Sequence, residues 1–194
     1  MGLTVEKCLQ AWTNSLKQMN ARADIVFFGD SLTYYGDFAS LFPNKVVCNL
    51  GLRGDTIQGL IDRLDQLIIL KPHKVFLMTG INDIASSNLE IFEKKYNELI
   101  RSLIEKLPGV EIVVQGLLPV NNVDYKISCN NQQIIEGVSI IHKISSRYGL
   151  PFIDLFLLYA REGILPYEET SDGIHLLPDA YNKWQRFLLT YSES

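Results

Sequence analysis

The sequence predicts a three-layer α/β/α fold, with helices on both faces of a five-stranded parallel sheet, from three observations. Unbroken apolar runs such as Ile25-Val26-Phe27-Phe28 and Val75-Phe76-Leu77-Met78 recur along the chain. Helical patterns with one apolar face separate them. The first three runs each stop at a polar turn that contains glycine. Strands without polar alternation are buried on both faces, and their regular alternation with helices calls for a parallel sheet.

In chain order, Val5, Cys8, Leu9, Trp12, Leu16 and Met19 recur at helical spacing, so an amphipathic helix comes first and ends before Ala23. A strand is expected over residues 24–28, and Phe38, Leu41 and Phe42 fall on a short helix that stops at Pro43. A second strand, residues 45–50, runs into Asn49-Leu50-Gly51-Leu52-Arg53-Gly54-Asp55-Thr56, a turn with two glycines next to a helix start. Ile57, Leu60, Ile61 and Leu64 form the apolar face of that helix, and Lys71-Pro72 lies beyond its end. The third strand, residues 74–79, ends in Gly80-Ile81-Asn82-Asp83. Ser87 and Glu90 fit a capping box for a long helix carrying Phe92, Tyr96, Leu99, Ile100, Leu103 and Leu107, which Pro108-Gly109 stops. A fourth strand at 111–115, a helix marked by Ile134, Val138, Ile141 and Ile144, and a short fifth strand at 151–155 complete the alternation. From there to Leu177 the chain reads as irregular, and Pro178 suits the first turn of a last helix with Tyr181, Trp184, Phe187 and Leu188.

The totals exclude several kinds of protein. A chain of 194 residues is long enough for one layered core and short for two, so a single domain over residues 1–194 is expected. Its 47% hydrophobic and 21% charged residues exclude a disordered chain. The net charge of −4 is scattered, with no cluster of Lys and Arg among aromatics, so no nucleic-acid partner is expected. No segment reaches the roughly 20 apolar residues of a membrane span. Residues 1–17 carry no apolar run after a basic start, and a cytoplasmic protein is expected. Cys8, Cys48 and Cys129 are odd in number and far apart, which argues for reduced thiols rather than disulfides or a close-spaced metal site. No cofactor or metal is expected. The oligomeric state, a homo-oligomer included, is left open.

The residues that carry chemistry gather at strand ends, where open parallel sheets hold their ligands. Gly29 permits a sharp turn that sets Ser31 at the start of a helix. Alone, Asp30-Ser31 reads equally as a helix cap. Of the three histidines, His73 enters the third strand at the far side of the sheet and His142 lies inside a helix beside Lys143. His175 differs: it closes Ser171-Asp172-Gly173-Ile174-His175, just before the last helix, where it can reach back over the strand ends. A serine hydroxyl is a weak nucleophile that needs a base such as imidazole, itself oriented by a carboxylate. Ser31, His175 and Asp172 supply those three types. Acyl transfer also needs donors aimed at a developing oxyanion, for which the Gly51 turn offers a backbone N–H and Asn82 a side-chain amide.

On these residues the chain resembles the SGNH hydrolase family, the GDSL esterases. Gly29-Asp30-Ser31-Leu32, the Gly51 turn, Gly80-Ile81-Asn82-Asp83 and Asp172-Gly173-Ile174-His175 stand in the family's order. Residues 49–56 and 80–84 are most similar to the subgroup of the platelet-activating-factor acetylhydrolase catalytic subunits and related bacterial acyl hydrolases. The resemblance implies a flavodoxin-like sheet in the order 2-1-3-4-5. It also implies Ser31 as nucleophile, His175 as base and then acid, and Asp172 as the partner that orients it. The backbone N–H groups of Ser31 and Gly51, with the Asn82 side chain, are then the oxyanion hole.

Asp30 and Asp83, beside these positions, are expected to brace their turns. Arg53 replaces the small residues common at that point in the subgroup; it either narrows the acyl pocket, meets an anionic substrate, or pairs with Asp55 in solvent. Tyr34, Leu117, Leu118, Val120 and Tyr167 are candidate pocket walls. The expected activity is metal-independent hydrolysis of a small-molecule ester through an acyl-enzyme, with a short acyl group such as acetyl because no lid is inserted between the elements. Two alternatives stay open: a flavodoxin-like receiver of FMN or phosphate, and an inactive relative that serves as an interaction module. Fold alone does not separate them.

Overall fold

The computed structural model describes residues 5–85 and 88–190. The apolar runs form the strands β1 (Ile25–Gly29), β2 (Val47–Gly51), β3 (Lys74–Met78), β4 (Glu111–Gln115) and β5 (Phe152–Ile153). They pair in parallel in the order β2-β1-β3-β4-β5, the flavodoxin-like order. Between and around them lie α1 (Val5–Gln18), α2 (Ser31–Tyr34), α3 (Ile57–Asp62), α4 (Asp65–Leu70), α5 (Ile81–Ile84), α6 (Leu89–Lys106), α7 (Asn131–Arg147), α8 (Leu155–Tyr159) and α9 (Pro178–Leu189).

Successive strand residues point to opposite faces, and both faces are covered. On one, Phe27 stacks between Phe38 and Phe76 with ring centroids 4.0 and 4.8 Å apart, and Phe38 meets Trp184 of α9 edge-on. The Trp184 indole N–H also donates to Gln115 Oε1 at the end of β4, at 2.7 Å. On the other face the Arg63 guanidinium lies over Phe28, while α6 packs against α3 and α7. A fully buried side chain of this size contributes about 1.5–3 kcal/mol. The layer around Phe27 therefore anchors α9, and with it the loop that enters α9.

Strand register sets the level of the turns. Gly29 is opposite Gly51 on one side and Met78 on the other, so the chain leaves β1, β2 and β3 at one height. The polar turns that follow are neighbours for that reason alone.

The structure departs from the sequence-based expectation in three places. The single helix expected around Ile57 to Leu64 is two, α3 and α4, because Arg63 at the break turns inward to hydrogen-bond Gly29 O, Asp55 and Gln66. The fifth strand is only Phe152–Ile153: Asp154 accepts the Leu157 N–H and caps α8 in a stretch that reads as irregular. Ser87 of the expected capping box lies outside the described residues; Asn88 caps α6, accepting the Ile91 N–H at 2.8 Å.

Candidate active site

Ser31 opens α2 directly after the end of β1. Asp30 caps that turn through Oδ1, which accepts the Leu32 N–H at 3.0 Å, and Tyr181 of α9 donates its hydroxyl to Leu32 O at 2.8 Å. Asp30 is fully buried, and its Oδ2 has no partner among the described residues. Burial pushes its carboxyl up to about 7; the Leu32 N–H opposes this, and Asp55 and Asp83 add to it. A carboxyl raised in this way binds more protons folded than unfolded between its ordinary value and pH 7, so it lowers stability as pH rises through that window. Asp30→Asn keeps an oxygen for the Leu32 N–H and does not titrate. Its stability relative to wild type is expected to increase from pH 4 to pH 8 in urea unfolding, and a difference independent of pH contradicts a neutral Asp30.

The loop before α9 is held from several sides. Thr170 Oγ1 donates to His175 O at 2.8 Å and accepts the Gly173 N–H at 2.9 Å. Gly173 has φ +88°, and a Cβ there would come within 2.7 Å of Asn121 O, so no side chain fits this turn. Asp172 Oδ1 accepts the backbone N–H groups of Ile174 and His175, at 3.0 and 2.8 Å. Its Oδ2 is 2.6 Å from His175 Nδ1, and His175 Nε2 is 2.9 Å from Ser31 Oγ. The structure thus brings Ser31, His175 and Asp172 into one hydrogen-bonded chain across 144 residues of sequence. Partial burial alone would raise the Asp172 carboxyl, but the hydrogen bonds from His175 and Ile174 reverse this and hold it below the ordinary carboxylate value. It is ionised where it faces the imidazole.

Asn82 and Asp83 are on α5, at the end of β3. One Asn82 Nδ2 hydrogen is donated to Asp55 O at 2.8 Å, which fixes the amide in the cleft wall beside Ser31. Asp83 Oδ2 accepts the Ile57 N–H at the start of α3, and so ties its turn to the one before α3, whereas Asp30 caps only its own.

Gly51 is a correction. It is the last residue of β2, and its N–H donates to Asn49 Oδ1 at 2.8 Å, so it is not available to a substrate. Arg53 and Gly54 are the residues of this turn that line the cleft with Ser31, and the backbone at Gly54 is the part of it without a side chain. Gly54 takes φ +72° in the turn closed by Asp55 N–H to Leu52 O at 3.2 Å.

Arg53 is a second correction, because Asp55 does not pair with it. Asp55 Oδ2 is 2.7 Å from Nε of Arg63, a buried residue that also donates to Gly29 O at 3.0 Å and to Gln66 Oε1 at 3.3 Å. Arg63, unmarked by any motif, thereby ties the end of β1 to the turn that carries Gly54. The exposed Arg53 instead has its guanidinium 5.9 Å from the Tyr35 ring.

Tyr35 meets His175 edge-on at 5.5 Å, and together they divide two cavities. One, of about 400 Å³, holds Ser31, Arg53, Gly54, Asn82 and the apolar Ile81, Ala85, Cys129 and Ile174. The other, of about 600 Å³, has a mixed lining, with Asp37, Ser40, Asn182 and Gln185 beside the apolar Leu176, Leu177 and Pro178. None of the expected pocket walls lines either cavity: Leu117, Leu118 and Val120 are core, Tyr34 is exposed, and Tyr167 stacks on Tyr125 at the surface. Of the remaining histidines, His73 lies at the entry to β3 and His142 stacks on Phe152, both away from Ser31.

This arrangement can pass a proton from a hydroxyl to an imidazole whose positive charge a carboxylate then balances. Over nearly its whole length the chain is similar to a platelet-activating-factor-like protein of Streptococcus pneumoniae (25% identity, TM-score 0.82, 96% of this chain and 97% of that one). It shares its fold with a lipase/acylhydrolase of Enterococcus faecalis (22%, TM-score 0.73, 86% and 93%) and with the acetyl xylan esterase AlAXEase (21%, TM-score 0.74, 87% and 98%). No curated protein sequence matches it. Among the described residues no helix is long and apolar enough to cross a membrane. The sequence profile of the GDSL-like lipase/acylhydrolase family matches residues 27–183, so the chain belongs to that family and is a carboxylic ester hydrolase.

Proposed function

We propose that this hydrolase is a serine esterase that works through an acyl-enzyme and takes short acyl groups such as acetyl. The observation that carries the proposal is the Ser31–His175–Asp172 chain, at 2.9 and 2.6 Å, opening into a cleft shared with Asn82 and Gly54. Ser31 Oγ attacks the ester carbonyl while its proton passes to His175 Nε2. The carbonyl oxygen becomes an oxyanion, held by the N–H groups of Ser31 and Gly54 and by the Asn82 amide. His175 then protonates the departing alcohol, and water attacks the acyl-serine by the same route in reverse. Gly54 takes the place that the sequence assigns to Gly51.

The acyl group lies against Ile81, Ala85, Cys129 and Ile174, too little apolar wall for a long chain. The alcohol leaves beside His175, toward the second cavity, where the Ser40 hydroxyl and the Asn182 and Gln185 amides suit a sugar. The fold shared with an acetyl xylan esterase supports that choice. Asn82→Ala is expected to lower kcat by roughly 10²-fold with KM little changed, the usual cost of one oxyanion donor; an unchanged kcat on 4-nitrophenyl acetate removes Asn82 from the hole. The proposal as a whole is tested with 4-nitrophenyl esters of two to eight carbons, acetylated sugars, and a fluorophosphonate probe. Turnover that peaks at acetyl or propionyl, with the probe's mass on Ser31, is the expected result. Neither turnover nor labelling favours the interaction module instead.

A further inference from the structure

The cleft around Ser31 contains a cation that the proposed reaction does not use. Arg53 occupies the turn between Leu52 and Asp55, next to Gly54, and lines the cleft with Ser31, Asn82 and His175. An exposed arginine usually pairs with a nearby carboxylate or is simply solvated. Here the carboxylate two residues away is taken: Asp55 is buried against Arg63 at 2.7 Å. Asp30 and Asp83 are buried and bonded to the backbone of Leu32 and Ile57. Asp172 is held by His175 through side chain and backbone. No ion pair of Arg53 is present among the described residues, and its guanidinium instead approaches Tyr35, the ring that packs against His175. The opposite cavity, toward which the alcohol departs, has Asp37 in its wall. Charge therefore differs on the two sides of the scissile bond: a cation on the acyl side, a carboxylate on the alcohol side.

We infer that the site prefers an acyl group that itself carries a carboxylate, as in the half-ester of a short dicarboxylic acid, and that Arg53 receives this charge. A guanidinium meets a carboxylate through two parallel hydrogen bonds, stronger than neutral ones and specific in direction. The inference rests on the serine-esterase proposal and narrows its substrate class.

The test compares monoethyl succinate with ethyl butyrate, which match in acyl length and differ in charge, and 3-acetoxypropionate with propyl acetate, which place the charge on the alcohol. Hydrolysis is followed by pH-stat. In wild type the ratio of kcat/KM for monoethyl succinate over ethyl butyrate is expected to exceed that for 3-acetoxypropionate over propyl acetate. Arg53→Ala should lower the first ratio about tenfold, Arg53→Glu should lower it further, and Arg53→Lys should retain part of it. Raising NaCl from 0.05 to 0.5 M should also reduce it, because the pair is open to solvent. A first ratio that Arg53→Ala leaves unchanged overturns the inference, and so does a charge preference confined to the 3-acetoxypropionate pair. Failure of the esterase proposal looks different: the neutral esters are then not hydrolysed and Ser31 is not labelled by a fluorophosphonate.

Discussion

Replacing Ser31 by alanine is expected to lower kcat for 4-nitrophenyl acetate by roughly 10⁴-fold or more, while the protein stays folded. The substitution removes one oxygen, which the structure places 2.9 Å from His175 Nε2. The backbone interactions of this turn, from the Asp30 cap to the Tyr181 hydroxyl on Leu32 O, do not involve that oxygen. Steady-state kinetics with a urea unfolding curve separate the two effects. Because nucleophile and base act as a unit, His175→Ala should cost a similar factor, and the double variant little more than either alone. Undiminished turnover of Ser31→Ala would require another nucleophile and would remove the acyl-enzyme at Ser31 from the mechanism.

The largest expected effect on stability comes from Arg63→Met. The side chain is 3% exposed, and its loss leaves the Asp55 carboxylate and the Gly29 carbonyl without the donor they share. Breaking one side of a buried ion pair costs about 3–5 kcal/mol, because a charge stays behind in a site of low polarity. For a chain of this size that lowers Tm by about 10 °C. The double variant Arg63→Met with Asp55→Leu removes the stranded charge and should recover part of the loss. A drop of under about 1 kcal/mol for Arg63→Met, measured by urea unfolding, would show that the pair contributes little. The variant should also lower kcat, since Gly29 precedes the Ser31 turn and the Asp55 carbonyl holds the Asn82 amide.

The alternation of strands and helices was legible because a strand buried on both faces must be apolar throughout, as Val26 to Phe28 and Val75 to Met78 are. The periodicity of α6 showed its buried face because a helix that covers a sheet is apolar on one side only. Ser31, Asp172 and His175 were legible because their side-chain types are few and stand at strand ends or in the loop before α9. That the Gly51 N–H is already taken was not, since it depends on where the Asn49 side chain places its oxygen. The partner of Asp55 was not either: Arg53 is nearer in sequence, but Arg63 reaches it once α3 turns the chain back beneath β1. The side-chain direction of Tyr35, and so the division between the two cavities, likewise depends on where His175 arrives. By itself the sequence determined the layers, the strand ends and the chemistry-bearing side chains, all properties of local pattern. Only the tertiary structure decided which donor was still available and which charges were already paired, because the Asn49 amide turns its oxygen to the Gly51 N–H while the Thr33 and Gly36 carbonyls hold its nitrogen, and Arg63 meets both Asp55 and Gly29, only once register and packing have brought these segments together.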